Sequence, residues 1–155
     1  MTTTVRDATP EDAEALVRIR IVMLQSIGKP LGDLAWVPDA VAELRRQLSS
    51  GEMVGALATV DGEAASGALA RVWRQLPGDG DDGSRAWIFS VATEEEHRRR
   101  GLARAVVTHL VDRLDQRGTA RIDLTASEEG EGLYVSLGFA HSPAPLLRRW
   151  RSDLG

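Results

Sequence analysis

Apolar and polar positions alternate along this chain in two ways, and each predicts its own kind of element. Ala13, Leu16, Val17, Ile19, Ile21 and Leu24 recur at near-helical spacing, so residues 10–26 read as a helix. Its start is marked by Thr9 as N-cap, Pro10 at the first helical position, and Glu11 and Asp12 in the first turn. Gly28, Pro30 and Gly32 break residues 27–37 into a loop, and a second helix is expected from Pro38 to about Leu48. Met53–Val60 is an apolar strand-like run. Asp61-Gly62 carries a type I′ turn signal, and Glu63–Arg74 returns as the second strand of a hairpin. Residues 77–84 are acidic and turn-rich, and Arg85–Ala92 reads as a strand. Leu102, Ala103, Val106, Val107, Leu110, Val111 and Leu114 form the apolar face of a helix over 101–117 that stops at Gly118. A strand follows at 120–125. A short helix then runs from the Ser127 cap to Leu137, with Gly138 as its stop, and Leu146–Arg151 is expected as a final strand. The order β, α, α, β, β, β, α, β, α, β, β predicts an α/β sandwich around a mixed sheet, as one domain over 1–155.

Composition narrows the chemistry. The 155 residues include no cysteine, which removes disulfides, thiolate metal sites and any cysteine nucleophile. The three histidines, at 97, 109 and 141, form no HExxH pattern, so no metal is expected. The net charge of −4 argues against a nucleic-acid partner. No apolar run reaches membrane-span length and the first residues lack an apolar signal core, so no membrane partner and a cytoplasmic location are expected. Two counts stand out: one tyrosine, Tyr134, and one lysine, Lys29, among 19 basic residues.

Two glycine-bearing segments compete as phosphate sites. Gly78-Asp79-Gly80-Asp81-Asp82-Gly83 spells GxGxxG. It leads into a strand rather than a helix, and its aspartates would repel a pyrophosphate, so it reads as a hairpin loop. Asp79 and Asp81 alone lack the rest of a calcium ligand set. Arg98-Arg99-Arg100-Gly101-Leu102-Ala103-Arg104 follows a strand and opens the long helix. There the unpaired helix amides, the dipole and the arginines favour an anion, and Gly101 lets it approach the backbone. A solvated basic helix start balanced by Glu94, Glu95 and Glu96 is the plainer alternative.

Arg98-x-x-Gly101-x-Ala103 after a strand resembles the acyl-CoA signature of the GNAT superfamily of N-acetyltransferases. The stretch from Val91 to Ala103 is similar to that family's run from central strand to pyrophosphate loop. Ala126–Phe139, with its Leu133-Tyr134-x-x-Leu137-Gly138-Phe139, resembles the family's late segment, and Arg6-x-Ala8-Thr9-Pro10-Glu11-Asp12 resembles its opening. The three blocks lie in register across essentially the whole chain.

The resemblance implies a three-layer sandwich with a mixed, mostly antiparallel sheet and helices on both faces. It implies acetyl-CoA as co-substrate and transfer to a small-molecule or peptide amine. Pantetheine would run along Val91, Ala92 and Thr93, with the amide near Val91 on the thioester carbonyl, and the amides from Arg99 to Arg104 would hold the pyrophosphate. Tyr134 stands where the family often keeps its general acid, and Gly130, one turn earlier, would leave room for the sulfur. Ser127 stands where many members have asparagine; it could contact pantetheine or cap its helix. No general base is evident, so water or an already neutral amine would serve. Met23, Trp36, Trp73 and Ser90 are candidates for the acceptor site, Ser90 as an orienting group. Arg148-Arg149-Trp150-Arg151 would suit an edge or homodimer contact. Transfer of another acyl group, a non-catalytic acyl-CoA-binding or regulatory module, and a DNA-binding helix start remain as alternatives.

Overall fold

The hairpin at the centre of the chain follows directly from its turn. Asp61 and Gly62 both have positive φ, 51° and 85°, as a type I′ turn requires. They join β2 (Met53–Val60) to β3 (Glu63–Arg74). With β1 (Thr3–Asp7), β4 (Ser84–Thr93) and β5 (Arg121–Leu124) these strands form one sheet of order β1-β2-β3-β4-β5. The first four are antiparallel neighbours, whereas β5 joins β4 in parallel. That parallel step needs a crossover, supplied by α3 (Leu102–Gln116). The computed structural model describes residues Met1–Leu154. They fall into two units. Met1–Thr125 holds the sheet with α1 (Ala13–Ser26), α2 (Val37–Ser50) and α3. The second unit, from Ala126 onward, holds α4 (Glu128–Ser136).

Two consecutive residues of β1 reveal how the helices are divided between the faces of the sheet. Arg6 makes a forked contact with Asp12, at the entrance to α1, with N–O distances of 2.7 and 2.9 Å. Asp7 instead meets α3, accepting from Arg113 Nε at 2.9 Å and lying 2.6 Å from His109 Nε2. Neighbouring strand residues point to opposite faces, so α1 and α3 lie on opposite sides. On the α1 side, Ala13, Leu16, Val17 and Ile19 form a buried cluster with Leu44 of α2 and Met53, Leu57 and Leu69 of the sheet. Val106, Val107, Leu110 and Leu114 are the buried stripe of α3. Each fully buried leucine or isoleucine contributes about 1.5–3 kcal/mol through area removed from water.

Gly67 sets how close α1 can come. A Cβ built there would lie 2.9 Å from Leu16 Cδ2 and 3.3 Å from Ile19 Cδ1, both in the packed cluster. The loop between α1 and α2 leaves its helix at Lys29, whose N–H reaches Leu24 O at 3.0 Å. At the helix entrance the Asp12 carboxylate accepts from the Thr9 N–H at 2.8 Å, and Pro10–Asp12 forms a 3-10 turn before α1 proper.

The segment spelling GxGxxG is the loop of the β3–β4 hairpin. Gly78 and Asp81 exchange backbone hydrogen bonds of 2.8 and 3.2 Å, and Gly83, at φ 86°, sits where a side chain would run into Gln75 O. Asp81 is engaged by Arg85, a buried residue of β4 that donates to both carboxylate oxygens at 2.9 and 2.6 Å. These bonds, led by the one to Arg85, hold the Asp81 carboxyl below its ordinary pKa.

The chain departs from expectation after α4. Leu146–Arg151 is not a strand, and the described residues beyond α4 form neither helix nor strand. Pro143 and Pro145 lack the N–H a ladder needs, Leu147 is 87% exposed, and no described strand pairs with the segment. Neither of the two strands expected after α4 is formed; the elements before them are present, β2 and β3 with the expected bounds and the others with an end shifted by up to three residues.

Gly67→Ala is expected to destabilise the protein by about 1–3 kcal/mol through overpacking against Leu16, read by urea unfolding. Asp81→Asn should lower the melting temperature near neutral pH by stranding Arg85. Because the Asp81 pKa is depressed by folding, its stabilisation exists above the unfolded value near 3.8 and is lost as pH falls through the lower folded value. The difference between wild type and variant should therefore close in strong acid, as melting curves across pH will register.

Candidate active site

β5 accompanies β4 for only part of its length. Arg85–Ile88 pair with Arg121–Leu124, and β4 then continues alone on that side through Phe89–Thr93. The β3–β4 register also shifts here. Gly67 faces Ala92 while Leu69 faces Phe89, so Ala68 opposes two residues, Ser90 and Val91, and β4 is bulged. Ser90 has φ 53°, a conformation uncommon outside glycine. A regular strand would send Phe89 and Ser90 to opposite faces. With the bulge, Phe89 packs against the α1–α2 cluster and the Ser90 hydroxyl also meets α1.

Beyond the bulge the backbone offers groups to the open side. Glu94 N–H bonds to Ala65 O at 2.8 Å, which by antiparallel alternation turns both backbone groups of Thr93 away from β3. Thr93 O accepts from Arg98 Nε at 3.2 Å on that side. The Thr93 hydroxyl, in contrast, lies 2.9 Å from Ser66 Oγ.

After a 3-10 turn at Glu95–His97, Arg99 (φ 64°) and Gly101 (φ 75°) bend the chain into α3. Gly101 is the N-cap. Its carbonyl accepts from Ala105 N–H at 3.0 Å, but it has no side chain to satisfy the first amides of the helix. No atom lies within 4 Å of where a Cβ would stand. Arg98, Arg99 and Arg100 are exposed and have no carboxylate partner among the described residues. The nearby acid Glu94 is turned to Arg18 of α1, at 3.2 Å, so the expected balance by Glu94–Glu96 is not formed through that residue. This end of the site presents free amides and uncompensated positive charge, a combination that attracts phosphate.

An open groove of about 630 Å³ lies on the α1 side, lined by Arg6, Asp12, Arg18, Thr59, Glu94 and His97 among others. Its arginines are already paired, Arg6 with Asp12 and Arg18 with Glu94. Among the described residues no three of histidine, cysteine, aspartate and glutamate are grouped to hold a metal, and no helix is long and apolar enough to cross a membrane.

In the second unit Ser127 caps α4, its Oγ accepting from Gly130 N–H at 3.2 Å. Tyr134 is half-buried in α4, edge-on to Phe139 with ring centroids 6.0 Å apart. A Cβ on Gly130 would come within 3.3 Å of its ring. Gly130 thus makes room beside the Tyr134 ring. Burial pushes the phenol above its ordinary pKa of 10.

The four acceptor candidates are scattered in role. Trp36 packs against the α1–α2 cluster and donates Nε1 to Leu31 O at 2.9 Å, while Trp73 lies under Arg71 with 5.3 Å from Cζ to ring centre. Met23 is half-buried on α1. Ser90 is brought to the bulge, where its Oγ accepts from Arg20 Nη1 at 2.5 Å. Arg20 was not among the candidates. Its signal was its place on the apolar stripe Ala13, Val17, Leu24, where a charge is out of pattern.

Residues 23–139 match the model of the acetyltransferase (GNAT) family. The chain belongs to that family. This GNAT acetyltransferase is 40% identical over 57 residues to the [ribosomal protein bS18]-alanine N-acetyltransferase of Escherichia coli K12, a match covering 35% of the chain and 38% of the relative's length. Its fold matches a GCN5-related N-acetyltransferase from Ralstonia eutropha JMP134, with TM-score 0.82, 22% identity and 96% and 99% of the two chains covered. It also matches an acetyltransferase of Clostridium acetobutylicum solved with acetyl-CoA, with TM-score 0.83, 22% identity and 96% of each chain covered. The five-stranded mixed sheet with helices on both faces is the architecture shared with these structures. Acetyl-CoA is the donor typical of the GNAT family.

Proposed function

We propose that the protein transfers an acetyl group from acetyl-CoA to a primary amine by direct attack. The observation that carries this reading is the continuous run from an unpaired, bulged strand edge at Phe89–Thr93 to an uncapped, arginine-flanked helix start at Gly101. A strand edge suits the amides of pantetheine, which can pair with it as another strand would. The helix start suits the pyrophosphate. In this reading Val91, Ala92 and Thr93 bind pantetheine, residues Arg98 to Arg104 bind the pyrophosphate, and the amide near Val91 donates to the thioester oxygen as negative charge builds there.

The reaction needs one bond made and one broken. The amine lone pair attacks the thioester carbon, the tetrahedral adduct collapses with cleavage of the C–S bond, and the CoA thiolate leaves. Tyr134 is assigned to protonate it. A phenol whose pKa is raised by burial holds its proton throughout the neutral range, so the acid is in its working form at physiological pH. The amine gives up its own proton to water. With no cysteine in the chain, an acetyl-thioenzyme intermediate is ruled out, which favours direct transfer. Ser127 is engaged in capping, which leaves its part in pantetheine binding secondary.

Acetyl-CoA at one hundred times its Kd should stabilise the native protein by about 2.7 kcal/mol in a thermal melt. Gly101→Ala should fold yet show a markedly smaller shift, because an added Cβ fills the approach to the helix amides. An equal shift in both proteins would remove Gly101 from the donor site. Tyr134→Phe should lower thiol release at saturating acetyl-CoA by about 100-fold or more. Wild-type turnover should decline on the alkaline side only above pH 10, where the raised phenol ionises. Undiminished turnover in the variant sinks the acid assignment. CoA stabilisation without thiol release across an amine library would mark a binding module instead.

A further inference from the structure

Arg20 is a half-buried cation with no carboxylate opposite it among the described residues. One of its five N–H donors goes to Ser90 Oγ at 2.5 Å, and its guanidinium carbon stands 5.6 Å from the centre of the Phe89 ring. Both contacts are to the bulge of β4. Burial lowers the Arg20 pKa and no anion raises it again, although a guanidinium stays charged at neutral pH. A cation held partly out of water is costly unless paired, and stacking on Phe89 offsets only part of that cost. Ion pairs meet several other arginines of the first unit, as at Arg6, Arg18, Arg85 and Arg113. Arg20 is set apart by its position against Ser90, the residue before Val91.

We propose that Arg20 is a specificity residue that recognises an anionic group, a carboxylate or a phosphate, on the amine acceptor. The inference rests on the acetyl-transfer reading, which puts the thioester beside Val91. The Cα atoms of Ser90 and Val91 are about 3.8 Å apart. An anion on the Arg20 fork would thus lie on the same part of β4 as an amine attacking the thioester, an arrangement that suits a short amino acid or a phosphorylated amino sugar. The planar fork can offer two parallel N–H donors to either oxyanion, which a neutral amine cannot use. The remaining contact to Ser90 fixes the fork in place, so Ser90 serves as a positioning residue.

The test is a thiol-release screen with amines in matched pairs, each with and without its anionic group. Suitable pairs are β-alanine with its amide, glycine with its amide, and glucosamine 6-phosphate with glucosamine. Peptides beginning with Ala-Asp and Ala-Asn extend the series. Wild type should favour the anionic member of the productive pair by about tenfold to a hundredfold in kcat/KM. The productive pair tells carboxylate from phosphate. Arg20→Gln should abolish that preference mainly through KM, leave the neutral member within about threefold, and keep the acetyl-CoA thermal shift. Arg20→Lys should recover part of the preference. Equal use of both members by wild type overturns the proposal. So does a loss in Arg20→Gln that falls equally on both members through kcat, since that would mark Arg20 as a brace for the bulge alone. Absence of thiol release from every amine, with the CoA shift intact, overturns the transfer reading itself and takes this inference with it.

Discussion

The constraint on which the rest depends is the early end of β5. A strand that loses its neighbour exposes backbone donors and acceptors that must be satisfied elsewhere. In β4 this happens in mid-strand, after Ile88, so that from Phe89 onward β4 itself becomes the edge of the sheet. The protein does not cover the gap among the residues of its first unit. It adds a bulge at the same place, so that two consecutive side chains reach the α1 side while the backbone beyond them faces the open edge. Backbone groups cannot be deleted by mutation. An edge made of them tolerates wide variation in side chains, and neighbours at 22% identity share the fold with TM-scores above 0.8.

The two faces of the sheet make different demands on that strand. On one side, α1 must approach closely enough to deliver Arg20 to the bulge, and Gly67 permits that approach by presenting no side chain to Leu16. On the other, α3 is anchored by Val106, Val107, Leu110 and Leu114 and by the contacts of His109 and Arg113 with Asp7. Its buried stripe, which begins at Leu102, holds the helix start in place, while Gly101 itself presents no side chain. The hairpin loop is fastened separately by Asp81 and Arg85, remote in the strand from the bulge.

Much of this architecture was legible in local pattern. The type I′ signal at Asp61-Gly62, the cap at Ser127 and the stripe of α3 are each set within a few residues, and each is present. The failures have a common origin in what lies far along the chain. Leu146–Arg151 resembles a strand by composition, but a strand exists only where a partner edge is supplied. The bulge at Ser90 leaves no trace in the sequence because it is a mismatch of register between β3 and β4. Trp36 and Trp73, candidates for the acceptor site, instead have near neighbours in sequence as partners, Leu31 O and Arg71. Arg20 interrupted an apolar stripe and was the one long-range feature that local periodicity could have flagged.

The near-exclusive use of arginine for positive charge has a consequence under the proposed transfer of acetyl groups to amines. Guanidinium groups keep their protons and are poor nucleophiles under conditions where a lysine ε-amine begins to react. Eighteen of the nineteen basic side chains are therefore chemically silent toward a thioester, and the exception, Lys29, stands exposed in the loop after α1. The arginines at the start of α3 can meet an anionic donor there while offering it nothing to modify. The catalyst is thereby shielded from competing with its own acceptor.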